Sequence, residues 1–305
     1  MSTHKHIDII CILITVFAVC LTALFMNGEA FGITKIVDED AEGYEGTEYF
    51  TGNDLNADWD DSDATHITLD GADVTIRGNG AYVLDGNAVI SNGGYYVVSG
   101  TLADGALIVD AFSSSKVWIR LDGVDITCTD DAALRVEQAD KVFLTLAEGT
   151  QNSLTSGSFY SDAAIAENRG GAVFARDDLT VNGSGSLTIT SSYKHGMDCN
   201  DSLHITGGDI TVNVPEDGFH VNDSLRITDC NLVVYAGDDG LQCDTEIVVA
   251  GGDILIVNET GRNPYGLNTK GETILTGGTI RISDSGDGSE SVVLYSFDEN
   301  TNDDD

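Results

Sequence analysis

From Thr65 onward apolar and polar residues alternate in short runs, THITL, DVTIRG, AYVLDG, NGGYYVVSG, ALIVDA, KVWIRLDGVDITC, AALRVE and DKVFLTLAEG, punctuated by Gly and Asp-Gly. A period of two residues bounded by turn formers predicts short β-strands. No helical periodicity interrupts these runs, which argues against a βαβ fold. Further on the pattern acquires a second, longer period. Leu203, Leu225 and Ile247 are 22 residues apart, as are Gly196, Gly218 and Gly240, in the segments SLHITGGDITVNVPEDGFHVND and SLRITDCNLVVYAGDDGLQCD. The spacing loosens to 24 residues before Leu203, counted from Leu179, and to 27 from Ile247 to Ile274, and insertions of this kind fall in the turns of a repeat array.

Each 22-residue unit holds three short strands, at 203–205, 209–214 and 218–221 in the first copy. Three strands per turn, each stacking on its counterpart one turn later, predict an all-β parallel β-helix. Alternation points Leu203, Ile205, Ile210, Val212, Val214, Phe219 and Val221 inward, above Leu225, Ile227, Leu232, Val234, Ala236, Leu241 and Cys243. A β-sandwich also uses short alternating strands, but nothing in it would hold a period of 22.

Composition agrees: 35 Gly, only 2 Pro and 41% hydrophobic residues describe a turn-rich β protein able to bury a core. Fifty-one acidic residues against fourteen basic give a net charge of −37, which excludes nucleic acid as a partner and disfavours anionic membranes. The apolar run Ile9–Met26 behind His4, Lys5 and His6 predicts export, either as a cleaved signal or as an uncleaved anchor. The expected organisation is an export segment over 1–30, an acidic linker and cap over 31–63, the β-helix over 64–297 and an acidic tail over 298–305. Membrane contact is expected through the N-terminal segment alone, and the rest as an extracellular or surface-held monomer. Cys128, Cys199, Cys230 and Cys243 match no zinc spacing; Cys199 and Cys243, two rungs apart, are too distant for a disulfide and read as small buried apolar residues.

Aligned on the shared glycine, the turns KHGMDCND, EDGFHVND, DDGLQCDT and PYGLNTKG stack into outward columns: His195, Asp217, Asp239, Tyr265; then Lys194, Glu216, Asp238, Pro264; then Asp198, His220, Gln242, Asn268. Carboxylates repeated every 4.8 Å or so repel one another. A Ca²⁺ ion relieves this, since oxygens on opposite sides of it lie about 4.6 to 5.2 Å apart. The expected ligands are Asp217 and Asp239, with Glu216, Asp238, Asp198, Asn222 and Gln242, and the cofactor is Ca²⁺. Turn formation alone would also account for one acid per turn. His195 and His220 stand beside these acids as hydrogen-bond partners. The stretch Asp54–Asp63 resembles a calcium loop superficially, but Trp59 replaces the required Gly, so it reads as solvated cap.

The run GGAVFARDDLTVNGSGSLTITSSYKHGMDCNDSLHITGGDITVNVPEDGFHVND, together with KVWIRLDGVDIT and AALRVEQADKVFLTLAEGTQNSL, resembles the secreted clostridial carbohydrate-binding family of parallel β-helices, over about 63–283. The resemblance implies a right-handed, pectate-lyase-like β-helix that binds calcium and plant cell-wall polysaccharide, acidic pectin-type sugars or cellulose, without established catalysis. The chain departs from the family at His195, where Asp is usual, at Asp229-Cys230, where Gly-Gly is usual, and at Tyr265-Gly266. Lys194, Tyr193, His220, Tyr235 and Tyr265 are the expected sugar contacts, with Tyr95 and Tyr96 as further aromatic candidates. Two alternatives stay open: a Ca²⁺-assisted lyase, with Lys194 as base and Arg169, Arg176 and Arg226 assisting, or a stiff surface spacer.

Overall fold

A computed structural model of the protein describes residues 47–58, 60–258, 265–284 and 295–296, all within a unit spanning Gly46–Asp305. The apolar run 9–26, Cys11, Cys20, residues 31–46 and 59 of the linker and the acidic tail lie outside the described residues. Among the described residues no helix is long and apolar enough to cross a membrane.

The chain winds as a parallel β-helix of about 7 turns. Three columns of strands form its faces. The first runs through Lys141–Leu146, Asp178–Gly183, Leu203–Ile205 and Ser224–Ile227; the second through Gln151–Ser156, Ser186–Ser191, Asp209–Val214 and Asn231–Ala236. The third runs through Leu134–Gln138, Gly171–Ala175, His195–Cys199, Phe219–Val221, Leu241–Cys243 and Leu267–Thr269. The first two faces join into one 15-stranded sheet, because the 13-residue strands Lys116–Cys128, Glu246–Asn258 and Glu272–Asp284 turn the corner between them unbroken; the third face is a separate 9-stranded sheet. Two antiparallel hairpins, Thr65–Gly71 with Asp73–Arg77 and Ala81–Leu84 with Asn87–Ile90, close the N-terminal end.

The register follows the sequence period. Leu203 pairs with Leu225, Ile210 with Leu232, Val212 with Val234, and Phe219 with Leu241. Of the inward residues named above, all are buried save Val214, which is partly covered and packs against the core. Cys199, Cys230 and Cys243 are free, buried members of these stacks, and burial pushes the Cys230 thiol up to about 12. One register differs from expectation. Ile247 pairs with Thr273, and Ile274 with Val248, so the last full rung is 26 residues long, matching Gly240 to Gly266 rather than Ile247 to Ile274. A one-residue slip exchanges inside for outside, and here it turns Ile274 outward and Leu275 inward.

The corner glycine has a steric cause. A Cβ on Gly218 would lie 2.3 Å from Val234 Cγ1 and 2.5 Å from the Gly240 carbonyl, and Gly196, Gly240 and Gly266 meet equivalent obstructions from the rung above. Where the neighbouring rungs have Gly207-Gly208 and Gly251-Gly252, Asp229-Cys230 stands, and Asp229 itself takes the left-handed backbone (φ 47°) that a short polar residue tolerates.

The N-terminal segment straps across the first face. Helix α1 (Gly52–Leu55) is capped by Thr51, whose hydroxyl and N–H both bond to Asp54. Asp54, expected in solvent, is completely buried: Lys141 Nζ lies 2.8 Å and His204 Nδ1 3.3 Å from its Oδ1, and the Thr180 hydroxyl donates to the same atom at 2.5 Å. Phe50 packs edge-on against His204, and Arg226 reaches the Tyr49 carbonyl. A lone acid in an acidic stretch carries no local sign that a lysine and a histidine 87 and 150 positions away will stack beneath it, so its burial departs from the solvated cap expected. Burial alone would raise the Asp54 carboxyl, but the hydrogen bond and charge from His204 and the charge of Lys141 outweigh it and hold it well below the usual carboxylate range. Burial lowers His204.

Gly218→Ala is expected to cost about 1 to 3 kcal/mol, read as a lower urea midpoint, because the rung above has no room to retreat. Asp54→Ala should cost about 3 to 5 kcal/mol by leaving Lys141 buried and unpaired. Both Asp54 and His204 have folded pKa values below their unfolded ones, so their contributions are complete above about pH 6.5 and are lost as pH falls, His204 first and Asp54 below about pH 4. Urea midpoints measured from pH 7 to pH 3 should decline in that order, and the part below pH 4 should flatten in Asp54→Asn.

Candidate functional site

The turn between the second and third faces carries the predicted acidic columns. Asp217 and Asp239, directly before the corner glycines, are buried. Their carboxylates brace the next rung's backbone: Asp217 Oδ1 accepts the Asp239 N–H at 3.0 Å, and Asp239 Oδ1 accepts the Tyr265 N–H at 2.7 Å. Asp239 Oδ2 accepts from the Asn268 amide. On the third face Asp198 Oδ2 accepts the Gly170 N–H at 2.8 Å, and burial pushes its carboxyl up. Stacked like charges persist because backbone N–H groups occupy the space between them.

Glu216 and Asp238 are half-buried at the rim. Gln242 donates to Asp244, which also pairs with Lys270 at 2.7 Å, and Asn222 faces Asn200 one rung below at 3.5 Å. Among the described residues the His, Cys, Asp and Glu side chains gather three donor atoms within 4.8 Å of one another at one place: His195, Asp217 and His220. Both imidazoles approach Asp217 Oδ2, His195 Nδ1 at 3.2 Å and His220 Nδ1 at 3.3 Å, and their rings lie 4.6 Å apart. Only His220 is aligned to hydrogen-bond; the buried Nδ1 of His195 has no partner with hydrogen-bond geometry. Burial would raise the Asp217 carboxyl, but the two imidazoles and the Asp239 N–H hold it below the usual carboxylate range.

Of the expected sugar contacts, Tyr265 is 61% exposed and Tyr235 40%. Tyr193 stacks on Tyr160 at 4.4 Å with Lys194 Nζ 5.4 Å from its ring centre. Tyr96, expected as an aromatic sugar contact, is instead buried, and its hydroxyl donates to the Gly80 and Asn92 carbonyls. Tyr95 is exposed and begins an outward aromatic stack that continues through Trp118 to Phe143.

Two features escaped the sequence reading. Asp177, Asp178, Asp201 and Asp223 form a second acidic edge, between the third and first faces, where burial and then the charges of Asp178, Asp177 and Asp223 push Asp201 up. Its signal was present in the recurring Asp-Asp and Asn-Asp pairs of RDDL, CNDS and VNDS. The second is an ionic pavement on the third face: Arg169 bonds Asp131 and Glu137, Arg176 bonds Glu137 and Glu167, and Arg135 bonds Asp131. It is assembled partly by the insertion carrying helix α2 (Asp162–Ala166), whose position no local pattern announces.

The family model described as carbohydrate-binding domain-containing protein matches residues 84–304. The chain belongs to this family. A carbohydrate-binding domain-containing protein of Acetivibrio thermocellus is 36% identical over 137 residues, 45% of this chain and 48% of the relative, so the match spans about half the length of that relative. The gadolinium derivative of the polysaccharide lyase-like protein from C. thermocellum superposes with a TM-score of 0.60 at 27% identity, covering 73% of this chain and 96% of that one. Family and fold thus agree with the resemblance read from the repeats.

Asp239→Ala should leave the Tyr265 N–H and the Asn268 amide without their acceptor. The expected cost is about 1 to 3 kcal/mol by urea unfolding, with Asp239→Asn intermediate because its carbonyl oxygen still accepts.

Proposed function

We propose that the chain is a non-catalytic extracellular module that binds a plant cell-wall polysaccharide, acidic pectin-type sugar or cellulose, with Ca²⁺ linking acidic sugar to acidic protein. Membership of a carbohydrate-binding family over 84–304 supports the partner class. The absence of catalysis rests on where the cations are. Arg169 and Arg176 are held in the ionic pavement, and Arg226 is held by Glu246 and the Tyr49 carbonyl. Lys194 lies against Tyr193. Abstraction of a sugar proton needs a base free to approach it, and the three arginines are already engaged by carboxylates and a backbone carbonyl.

The edge formed by Asp177, Asp178, Asp201 and Asp223 offers oxygen donors alone, the set Ca²⁺ prefers, strung along successive rungs rather than gathered within 4.8 Å of one another. Burial first, and then the charges of Asp178, Asp177 and Asp223, push the Asp201 carboxyl up, and a divalent cation would relieve the charge part of that cost. The related polysaccharide lyase-like protein was solved as a gadolinium derivative, and gadolinium, like calcium, is a hard cation that takes oxygen ligands. Tyr235 and Tyr265, exposed beside the acidic corner, suit stacking against sugar rings. Export through the N-terminal apolar run would place the module, as a monomer, where such polymers occur.

Titration of the full chain with polygalacturonate, with and without Ca²⁺ and with absorbance monitored for unsaturated product, tests this reading. Binding that requires Ca²⁺, weakens in Asp201→Asn with Asp223→Asn, and produces no new absorbance is the expected result. Growth of absorbance would make the protein a lyase, and failure to bind this or any cell-wall polymer would leave a surface spacer.

A further inference from the structure

The trio at the acidic corner differs in kind from the all-oxygen edge. Asp217 spends Oδ1 on the Asp239 N–H, so a single carboxylate oxygen faces the cluster, and the other two donors are imidazole nitrogens. Calcium takes six to eight oxygens, and the three gathered donors include one. Two imidazoles and one carboxylate are instead the donors of a borderline cation such as Zn²⁺.

The spacing points the same way. A tetrahedral ion with ligands at about 2.0 to 2.1 Å keeps neighbouring donors about 3.3 Å apart. His195 Nδ1 and His220 Nδ1 lie 3.2 and 3.3 Å from Asp217 Oδ2. The stacked rungs hold them there. Asp217 lies in the corner of His220's own rung, His195 in the same column one rung below, and a Cβ on Gly170 would lie 2.9 Å from the His195 ring, so the adjacent backbone presses that ring in place. The Nδ1 of His195 adds a second sign: it is buried and 3.2 Å from Asp217 Oδ2 without hydrogen-bond alignment, so a bound ion would satisfy a ring nitrogen that the protein itself does not. On the far side of the same ring, Nε2 lies 3.9 Å from Glu216 Oε2, beyond hydrogen-bond distance but close enough for the carboxylate to favour a positive charge at the ring. The His220 side chain is 34% exposed, which leaves the cluster open on one side.

We propose that His195, Asp217 and His220 form a three-ligand site for a divalent cation of the Zn²⁺ class, with the fourth coordination position open to solvent. The site is separate from any Ca²⁺ bound by the acidic edge, and its occupancy does not depend on carbohydrate.

The test uses the full chain, freed of metal by chelation and titrated by calorimetry with Zn²⁺ alone and with Ca²⁺ alone. One Zn²⁺ should bind at this site, and a large excess of Ca²⁺ should not displace it. Co²⁺ should give the visible absorption of a tetrahedral N₂O site. His220→Gln, at a part-exposed position, and His195→Gln should each weaken that Zn²⁺ by at least about 100-fold and abolish the Co²⁺ band. Far-UV circular dichroism of both variants confirms that the coil is retained. Asp217→Asn, whose amide oxygen still accepts the Asp239 N–H, checks the carboxylate separately. Zn²⁺ stoichiometry and affinity unchanged in the folded variants would overturn the proposal, as would displacement of Zn²⁺ by an equal concentration of Ca²⁺. Because the readout is metal alone, it stands or falls independently of polysaccharide binding.

Discussion

The repeating rung height governs this molecule. Strands stacked about 4.8 Å apart place every side chain above its own counterpart, so each residue's neighbours are chosen by the period rather than by local sequence. Apolar residues benefit, and a continuous column such as Val173, Met197, Phe219, Leu241 and Leu267 forms a core that no single turn could bury. The corner must be as thin as the rung, which is why glycine recurs at 196, 218, 240 and 266. Charged residues meet the same rule at a cost, since an acid in one turn sits above an acid in the last.

The chain resolves this repulsion in different ways at different corners. Asp217 and Asp239 turn their oxygens onto the backbone of the following rung, becoming structural braces inside an acidic surface. On the third face arginines interleave the acids into a closed pavement. Under the N-terminal strap, Asp54 is neutralised by Lys141, with the His204 ring beside it, and fastens a segment distant in sequence across the first face. The edge of Asp177, Asp178, Asp201 and Asp223 is left with its charges opposed, and the corner holding His195 and His220 is left with an orphaned nitrogen. Uncompensated groups of this kind are where a ligand has most to offer.

What the sequence made legible follows the same division. Stacked inward positions, the three strands per turn and the buried free cysteines could be read from periodicity, because a repeat specifies its own neighbours. Non-repeating partners could not. Asp54 carried no local mark of burial, and the helix α2 insertion gave no hint of the pavement it completes. The last rung went astray by one residue because Ile274 resembled the inward Ile247, while the steric demand at Gly240 and Gly266 kept the true register. At the acidic corner the columns were read correctly but their atoms were not. Which oxygen faces outward is decided by backbone N–H groups that no side-chain alignment displays.

Native-state hydrogen exchange, resolved by residue, addresses the stacked coil and its carboxylate braces together. Slow amides should recur once per rung along the strands, and the corner amides of Asp239 and Tyr265 should be protected alongside them, because Asp217 and Asp239 accept from them. Fast exchange at these two corners, with protection confined to the strands, would contradict the bracing role assigned to the buried acids; protection without the period of the rungs would contradict the coil itself.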